Sequence, residues 1–134
     1  MITLFFISIR FELVGFYFNM VQCFEADLHD ETMAKAIVEL LNSYACDFFG
    51  GNEPLSDYSR TNLICELRKL PSAHVFVAKD VGKSEEYVGL AICFEGFSTF
   101  ACKPLINVHD FYVRPEFRRQ GISSNLIFAI GKRS

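Results

Sequence analysis

From Asp110 to Leu126 the chain changes period with no linker between the two patterns. Asp110-Phe-Tyr-Val113 closes an aromatic, β-branched run, Arg114-Pro115 breaks it, and Ser123 to Ile130 carries apolar residues at helical spacing. A strand therefore ends at Val113, and a helix opens near Ser123 after a tight polar turn. Such a turn aims successive backbone N–H groups, those of Gln120, Gly121, Ile122, Ser123 and Ser124, at one spot beside the positive end of the new helix. That is an anion site, and a pyrophosphate fits it. Gly121 lets the backbone approach the anion with no Cβ in the way. Arg118 and Arg119 add charge-assisted hydrogen bonds to phosphate oxygens.

The residues upstream supply the rest of a domain. Val21 to Asp27 reads as a short strand ending in turn chemistry, and Asp27 or Asp30 caps the helix that follows. Met33, Ile37, Leu40, Leu41 and Tyr44 recur at helical spacing and define a buried stripe. Gly50 to Pro54 interrupts the pattern. Ser59 caps a second helix with Leu63, Ile64, Leu67 and Leu70 inward, and Pro71 ends it. His74 to Lys79 alternates weakly around Val75, Phe76 and Val77. A polar turn at Gly82 to Glu86 joins it to Tyr87–Phe94 as a hairpin. After Glu95-Gly96 an aromatic loop with Phe97 and Phe100 leads to a strand from Leu105 to Val113. Leu126, Ile127 and Ile130 face inward from the last helix. The order β-α-α-β-β-β-α predicts an α/β domain, an α+β arrangement with a mixed sheet.

Length and charge narrow the classes. The 134 residues suit one domain, 51% hydrophobic residues with 22% charged is globular composition, and 15 Phe with no Trp predict a core built on phenyl rings. The net charge of −3 leaves no basic surplus to neutralise phosphates, so no nucleic-acid partner is expected. Cys23, Cys46, Cys65, Cys93 and Cys102 are scattered singly, as are His29, His74 and His109. No metal site follows from such spacing, and the cysteines read as reduced residues of a cytoplasmic protein. Met1 to Phe18 is apolar but interrupted by Arg10 and Glu12. A membrane span needs roughly 20 apolar residues without such charges. A signal peptide needs a leading positive charge and a small-residue cleavage site. No membrane partner is expected. Ile7, Ile9, Phe11 and Leu13 alternate with polar residues at strand period, so residues 1–19 are either an added strand or an upstream extension, and we favour the extension.

Residues 20–134 resemble the GNAT superfamily of N-acetyltransferases. Its signature is Arg or Gln, two residues, Gly, one residue, then Gly or Ala, between a strand and a helix. Arg118, Gly121 and Ser123 stand at those positions, with Ser123 a small departure from Gly or Ala. The Val113-Arg114-Pro115 lead-in and the two-helix, hairpin approach follow the family order, and the specific part runs from Asp110 to Ile130. The resemblance implies the acyl-CoA N-acyltransferase fold and acetyl-CoA as cosubstrate. It places the pantetheine arm on Phe111, Tyr112 and Val113, the pyrophosphate on Arg118 to Ser124, and direct attack by an amine, with the oxyanion stabilised by a strand amide.

A primary amine is protonated near neutral pH, so a base must take its proton. His109, Asp110 and Glu95 are the candidates. The resemblance is closest to small-amine and polyamine acetyltransferases, whose strand carries two adjacent acidic residues where His109-Asp110 stands. His109 then serves as base, or is a strand histidine satisfied by a carbonyl. Asp110 suits a structural hydrogen bond. Glu95 holds an ammonium group or is a solvated turn residue. Phe97 and Phe100 line the acceptor pocket or plug the core.

The family continues with a fifth strand and a helix that often supplies a Tyr to protonate the departing thiolate. The chain ends 11 residues after Ser123, so the fold is expected to lack its C-terminal strands and helix. The expected function is transfer of an acetyl group from acetyl-CoA to a small-molecule or peptide amine, in a chain compatible with a homodimer. The alternative is a degenerate or truncated module that holds CoA or a partner without turnover.

Overall fold

In the computed structural model, which describes residues 20–133, a four-stranded sheet carries helices on both faces. The elements are β1 (Val21–Glu25), α1 (Glu31–Cys46), α2 (Asp57–Arg68), β2 (Ala73–Asp80), β3 (Tyr87–Ser98), β4 (Lys103–Val113), a 3-10 turn (Pro115–Phe117) and α3 (Ile122–Gly131). The strands lie in the order β1-β2-β3-β4, and all three pairings are antiparallel. The α+β architecture and element order are those expected, but among the described residues the sheet is antiparallel throughout rather than mixed. The readings of residues 1–19 lie outside the described residues.

Two apolar cores explain the sheet's composition. Val75, Val77, Leu90, Ile92 and Tyr112 point to one face and meet Ile37, Leu40 and Leu41 of α1 and Leu67 of α2. Phe76, Ala78, Val88, Ala91, Cys93 and Val113 point to the other and meet Ile122, Leu126 and Ile130 of α3. Residues of both parities in β2 and β3 are buried, and that is why the alternation in β2 is weak. Both helices on the first face start at side-chain caps. Asp30 accepts from the Met33 N–H at 2.8 Å. Ser56, not Ser59, caps α2, accepting from the Ser59 N–H at 3.1 Å. Ser59 is the third residue of the helix, the one whose N–H a cap satisfies. Leu70, expected inward, is exposed beyond the end of α2.

The β2–β3 hairpin is held by the carboxylate of Asp80, which accepts from the Gly82 N–H at 3.3 Å and from the Ser84 N–H and hydroxyl at 3.2 and 2.9 Å. Burial raises its pKa, and these donors overcome that and hold it below the ordinary aspartate range. β3 runs on to Ser98, so Glu95 and Phe97 belong to a strand rather than to a loop. Phe100 stands fully exposed in the β3–β4 turn, not plugged into the core.

On α3 the apolar stripe is Ile122, Leu126 and Ile130, while Ile127, expected inward, is 60% exposed. Leu126 is 0% exposed against the sheet. Leu126→Ala should therefore cost about 2–5 kcal/mol in urea unfolding, and Ile127→Ala less than about 0.5 kcal/mol.

Candidate active site

β4 is the strand on which the candidate residues meet, and its register is broken once. Ile92 faces Asp110 while Cys93 faces Val108, so His109 is the extra residue of a β-bulge. Across the bulge both His109 and Asp110 turn to the face covered by α1 and α2. The His109 ring meets Phe94 edge-on at 5.6 Å, and Phe94 packs against the α1–α2 core. His109 is exposed, whereas Asp110 is half-buried. Burial pushes the Asp110 carboxyl above the ordinary aspartate range, and the nearby His109 charge only partly offsets this. A carboxylate so placed is a stronger base than a solvated one.

Glu95 does not join them. It lies on the opposite, α3 face, where its Oε1 is 2.7 Å from His74 Nε2, and His74 Nδ1 is 2.9 Å from Glu25 Oε1. Arg133 closes the row with a 2.7 Å contact to Glu25 Oε2. Glu95 thus ties β3 through His74 to β1. Among the described residues no group of three or more His, Cys, Asp or Glu side chains is arranged to hold a metal ion.

Beyond Val113 the chain turns around two left-handed residues, Arg119 at φ 61° and Gly121 at φ 81°. Gly121 is the N-cap of α3 and offers no side chain to cap that helix. The first-turn N–H groups of Ile122, Ser123 and Ser124 therefore carry the helix's positive end with no N-cap side chain to accept from them. A Cβ placed on Gly121 would meet no protein atom within 4 Å, so the space beside this turn is open. The geometry fits a diphosphate. Ile122 itself is buried in the α3 core and contributes only backbone.

Arg118 plays a different part from the one its charge suggests. Its Nε donates to the Val113 carbonyl at 2.8 Å, its Nη2 to Asp47 Oδ2 at 3.0 Å, and its guanidinium lies 5.6 Å from the Tyr112 ring centroid. The arginine staples the end of β4 to the end of α1. Arg119 is exposed, and Gln120 reaches back to the Glu116 carbonyl at 3.4 Å. A pocket of about 290 Å³ opens here. Tyr44, Asp47 and Phe49 line it from the α1 side, Phe111, Tyr112 and Val113 from β4, and Arg118 and Ser123 from the turn.

Three of these lining residues carry no mark in the sequence. Tyr44 reads only as part of the α1 stripe. Asp47 and Phe49 fall where the helical pattern stops, and the one available signal is an acidic residue just before Phe-Phe-Gly-Gly. The Arg118 guanidinium and the Phe49 and Phe48 N–H groups hold the Asp47 carboxyl below the ordinary aspartate range.

A strand that ends on a left-handed turn at an uncapped helix, with a pocket between that turn and a neighbouring helix end, is a site shaped for a ligand with an anionic end. The chain belongs to the acetyltransferase (GNAT) family, whose model matches residues 37–132. No curated protein matches it in sequence. Solved structures share its fold. An aminoglycoside acetyltransferase from an uncultured soil metagenomic sample, in complex with sisomicin, is 23% identical with a TM-score of 0.65, over 86% of this chain and 70% of that one. A ribosomal-protein-alanine N-acetyltransferase from Brucella melitensis biovar Abortus 2308 is 21% identical, TM-score 0.63, over 84% and 70%. A possible acetyltransferase from Clostridium difficile 630 is 18% identical, TM-score 0.67, over 84% and 70%.

The raised pKa of Asp110 has a consequence for stability. A folded-state pKa above the unfolded one favours the protonated form, so the contribution is full below the ordinary aspartate range and is lost as pH rises through the raised value. Asp110→Asn should therefore raise the thermal midpoint at pH 7, each kcal/mol gained moving it by roughly 4 °C. The gain should vanish near pH 3, which melts at the two pH values will show.

Proposed function

We propose that the chain is an N-acetyltransferase that takes an acetyl group from acetyl-CoA and passes it to an amine of a small molecule or peptide. The observation that carries this reading is the left-handed pair Arg119 and Gly121 in front of the uncapped α3. An anion held there sits at the C-terminal end of β4, so the rest of the same ligand lies along that strand's outer edge. In an antiparallel edge strand, backbone groups alternate between the partner strand and the open edge. Phe111, Tyr112 and Val113 can thus pair with the amide groups of a pantetheine arm. Gln120, Gly121, Ile122, Ser123 and Ser124 supply backbone donors to the diphosphate, and the exposed Arg119 adds charge.

The reacting end then falls near the bulge, beside His109 and Asp110. Asp110 takes the proton of the incoming ammonium, directly or through water, its burial-raised pKa making it a better proton acceptor. His109, exposed at the bulge, passes that proton to solvent. A β4 amide next to the bulge stabilises the oxyanion of the tetrahedral intermediate. As that intermediate collapses, the C–N bond stays, the C–S bond breaks, and the departing thiolate of CoA takes the second proton of the attacking nitrogen to leave as the thiol. Aminoglycosides and protein N-terminal alanine are acceptor classes suggested by the neighbours' names. All five cysteines are free, and burial raises the thiols of Cys23 and Cys93 to about 11, which suits a reducing, cytoplasmic setting. No described helix is long and apolar enough to cross a membrane.

Calorimetry with CoA tests the donor site. Gly121→Val should weaken binding by about 10- to 100-fold, since it blocks charge-assisted bonds worth roughly 1.5–3 kcal/mol each. Its folding cost is limited to the strain of a left-handed non-glycine, roughly 1–2 kcal/mol. Equal affinity in a folded Gly121→Val protein would overturn the assignment. A thiol-release assay over sisomicin, spermidine and an alanine-initiated peptide tests turnover. With whichever acceptor is used, Asp110→Asn should lower kcat/KM by about 10²–10⁴-fold. CoA binding without release from any of these acceptors would favour a module that holds CoA without turnover.

A further inference from the structure

We propose that Asp47 is a positioning residue that couples the donor turn to the loop between α1 and α2. The proposal rests on the reading of residues 118–124 as the donor site.

Asp47 makes two sets of bonds that point in different directions. Within its own loop, its N–H donates to the Tyr44 carbonyl at 3.0 Å, and its carbonyl accepts from the Gly50 and Asn52 N–H groups at 2.9 and 3.3 Å. Its Oδ1 accepts from the Phe49 N–H at 3.4 Å. These bonds fold the loop so tightly that a Cβ on Gly50 would fall 1.8 Å from the Tyr44 carbonyl oxygen. The second carboxylate oxygen, Oδ2, leaves the loop and accepts from Arg118 Nη2. Arg118 is bonded in turn to the last carbonyl of β4 and precedes the left-handed Arg119 directly.

One carboxylate therefore joins two segments 71 residues apart in sequence, each lining the same pocket. The loop lies on the face that carries His109 and Asp110, so it borders the space an acceptor amine must cross. The turn holds the donor. The pair itself is partly exposed, with side-chain exposures of 43% and 20%, so as an isolated ion pair it contributes little to stability. Its geometry is better suited to transmission. An anion that fixes Arg119 and Gly121 also fixes Arg118, and Arg118 fixes the Asp47 loop.

Amide hydrogen exchange on the full chain, with and without CoA, tests this with no acceptor present. In the wild type, CoA should slow exchange at residues 119–124 and also at Phe48 to Asn52, the latter by about fivefold or more. Asp47→Asn keeps the side chain's size and an acceptor for the Phe49 N–H but removes the charge. It should retain protection of the turn and lose the CoA-dependent protection of the loop, and Asp47→Glu should restore part of it. Arg118→Gln breaks the same link from the other side, so it serves as the second variant if Asp47→Asn fails to fold, with the same loss expected. A merely structural role would speed loop exchange equally with and without CoA, and that result overturns the coupling. So does loop protection by CoA that persists in the variants, or that is missing from a wild type whose turn is protected. Absence of protection at the turn itself overturns the donor-site reading instead, and the coupling falls with it.

Discussion

The junction between β4 and α3 sets the geometry of everything else. Val113 and Ile122 are both buried in the same core, on the face that α3 covers. The eight residues between them must reverse direction, present backbone donors and start a helix, all without leaving that core. Left-handed backbone at Arg119 and Gly121 is the means. Gly121 adopts it freely, whereas Arg119 does so at a cost of roughly 1–2 kcal/mol. A strained non-glycine residue persists where its surroundings over-determine it. Here the surroundings are the Arg118 staple on one side and the first turn of α3 on the other. Because α3 begins with no side-chain cap, the donors that a Ser or Asp would otherwise satisfy face outward.

The sheet also sorts its carboxylates by face. Glu95 and Glu25 flank His74 on the α3 side, where the row ending in Arg133 ties together β1, β2, β3 and the end of α3. Asp110 stands on the other side, half-buried, where desolvation outweighs the charge of the neighbouring His109. Groups of one chemical type thus do different work according to what surrounds them. The carboxylates bonded to His74 hold strands together. The desolvated one is costly to keep charged.

Much of the fold was legible in the sequence because helix and strand periods are local. The stripe on α1, the turn at Gly82 to Glu86 and the strand–turn–helix run from Asp110 all form as their residues suggest. The misplacements have local causes too. Ser56 and Ser59 are both competent caps three residues apart, and only the helix start decides between them. Ile127 is as apolar as Ile130, but Ile122, Leu126 and Ile130 already supply a contiguous stripe at four-residue spacing. Glu95-Gly96 carries turn chemistry, yet the antiparallel partner Leu105–Ile106 extends β3 through it. At the site, sequence located the turn between β4 and α3 but could not place His109 and Asp110 relative to Glu95. A one-residue bulge decides which face a strand residue serves, and no residue type announces it.

The bulge and the Asp47 loop are held in place by different means. Asp110 is fixed by strand pairing to β3, and His109, unpaired at the bulge, by contact with Phe94. The loop at Asp47 is fixed differently, by hydrogen bonds to its own backbone and by one link to Arg118. The face thus divides between a strand held by its ladder and a loop held by a link to a neighbour. Such a division needs a small loop with few apolar contacts, and the exposure of Phe48 and Phe49, at 77% and 80%, supplies it. The link exists because β4 ends where it does: Arg118 grips the carbonyl of Val113, the strand's last residue, and the Asp47 carboxylate together.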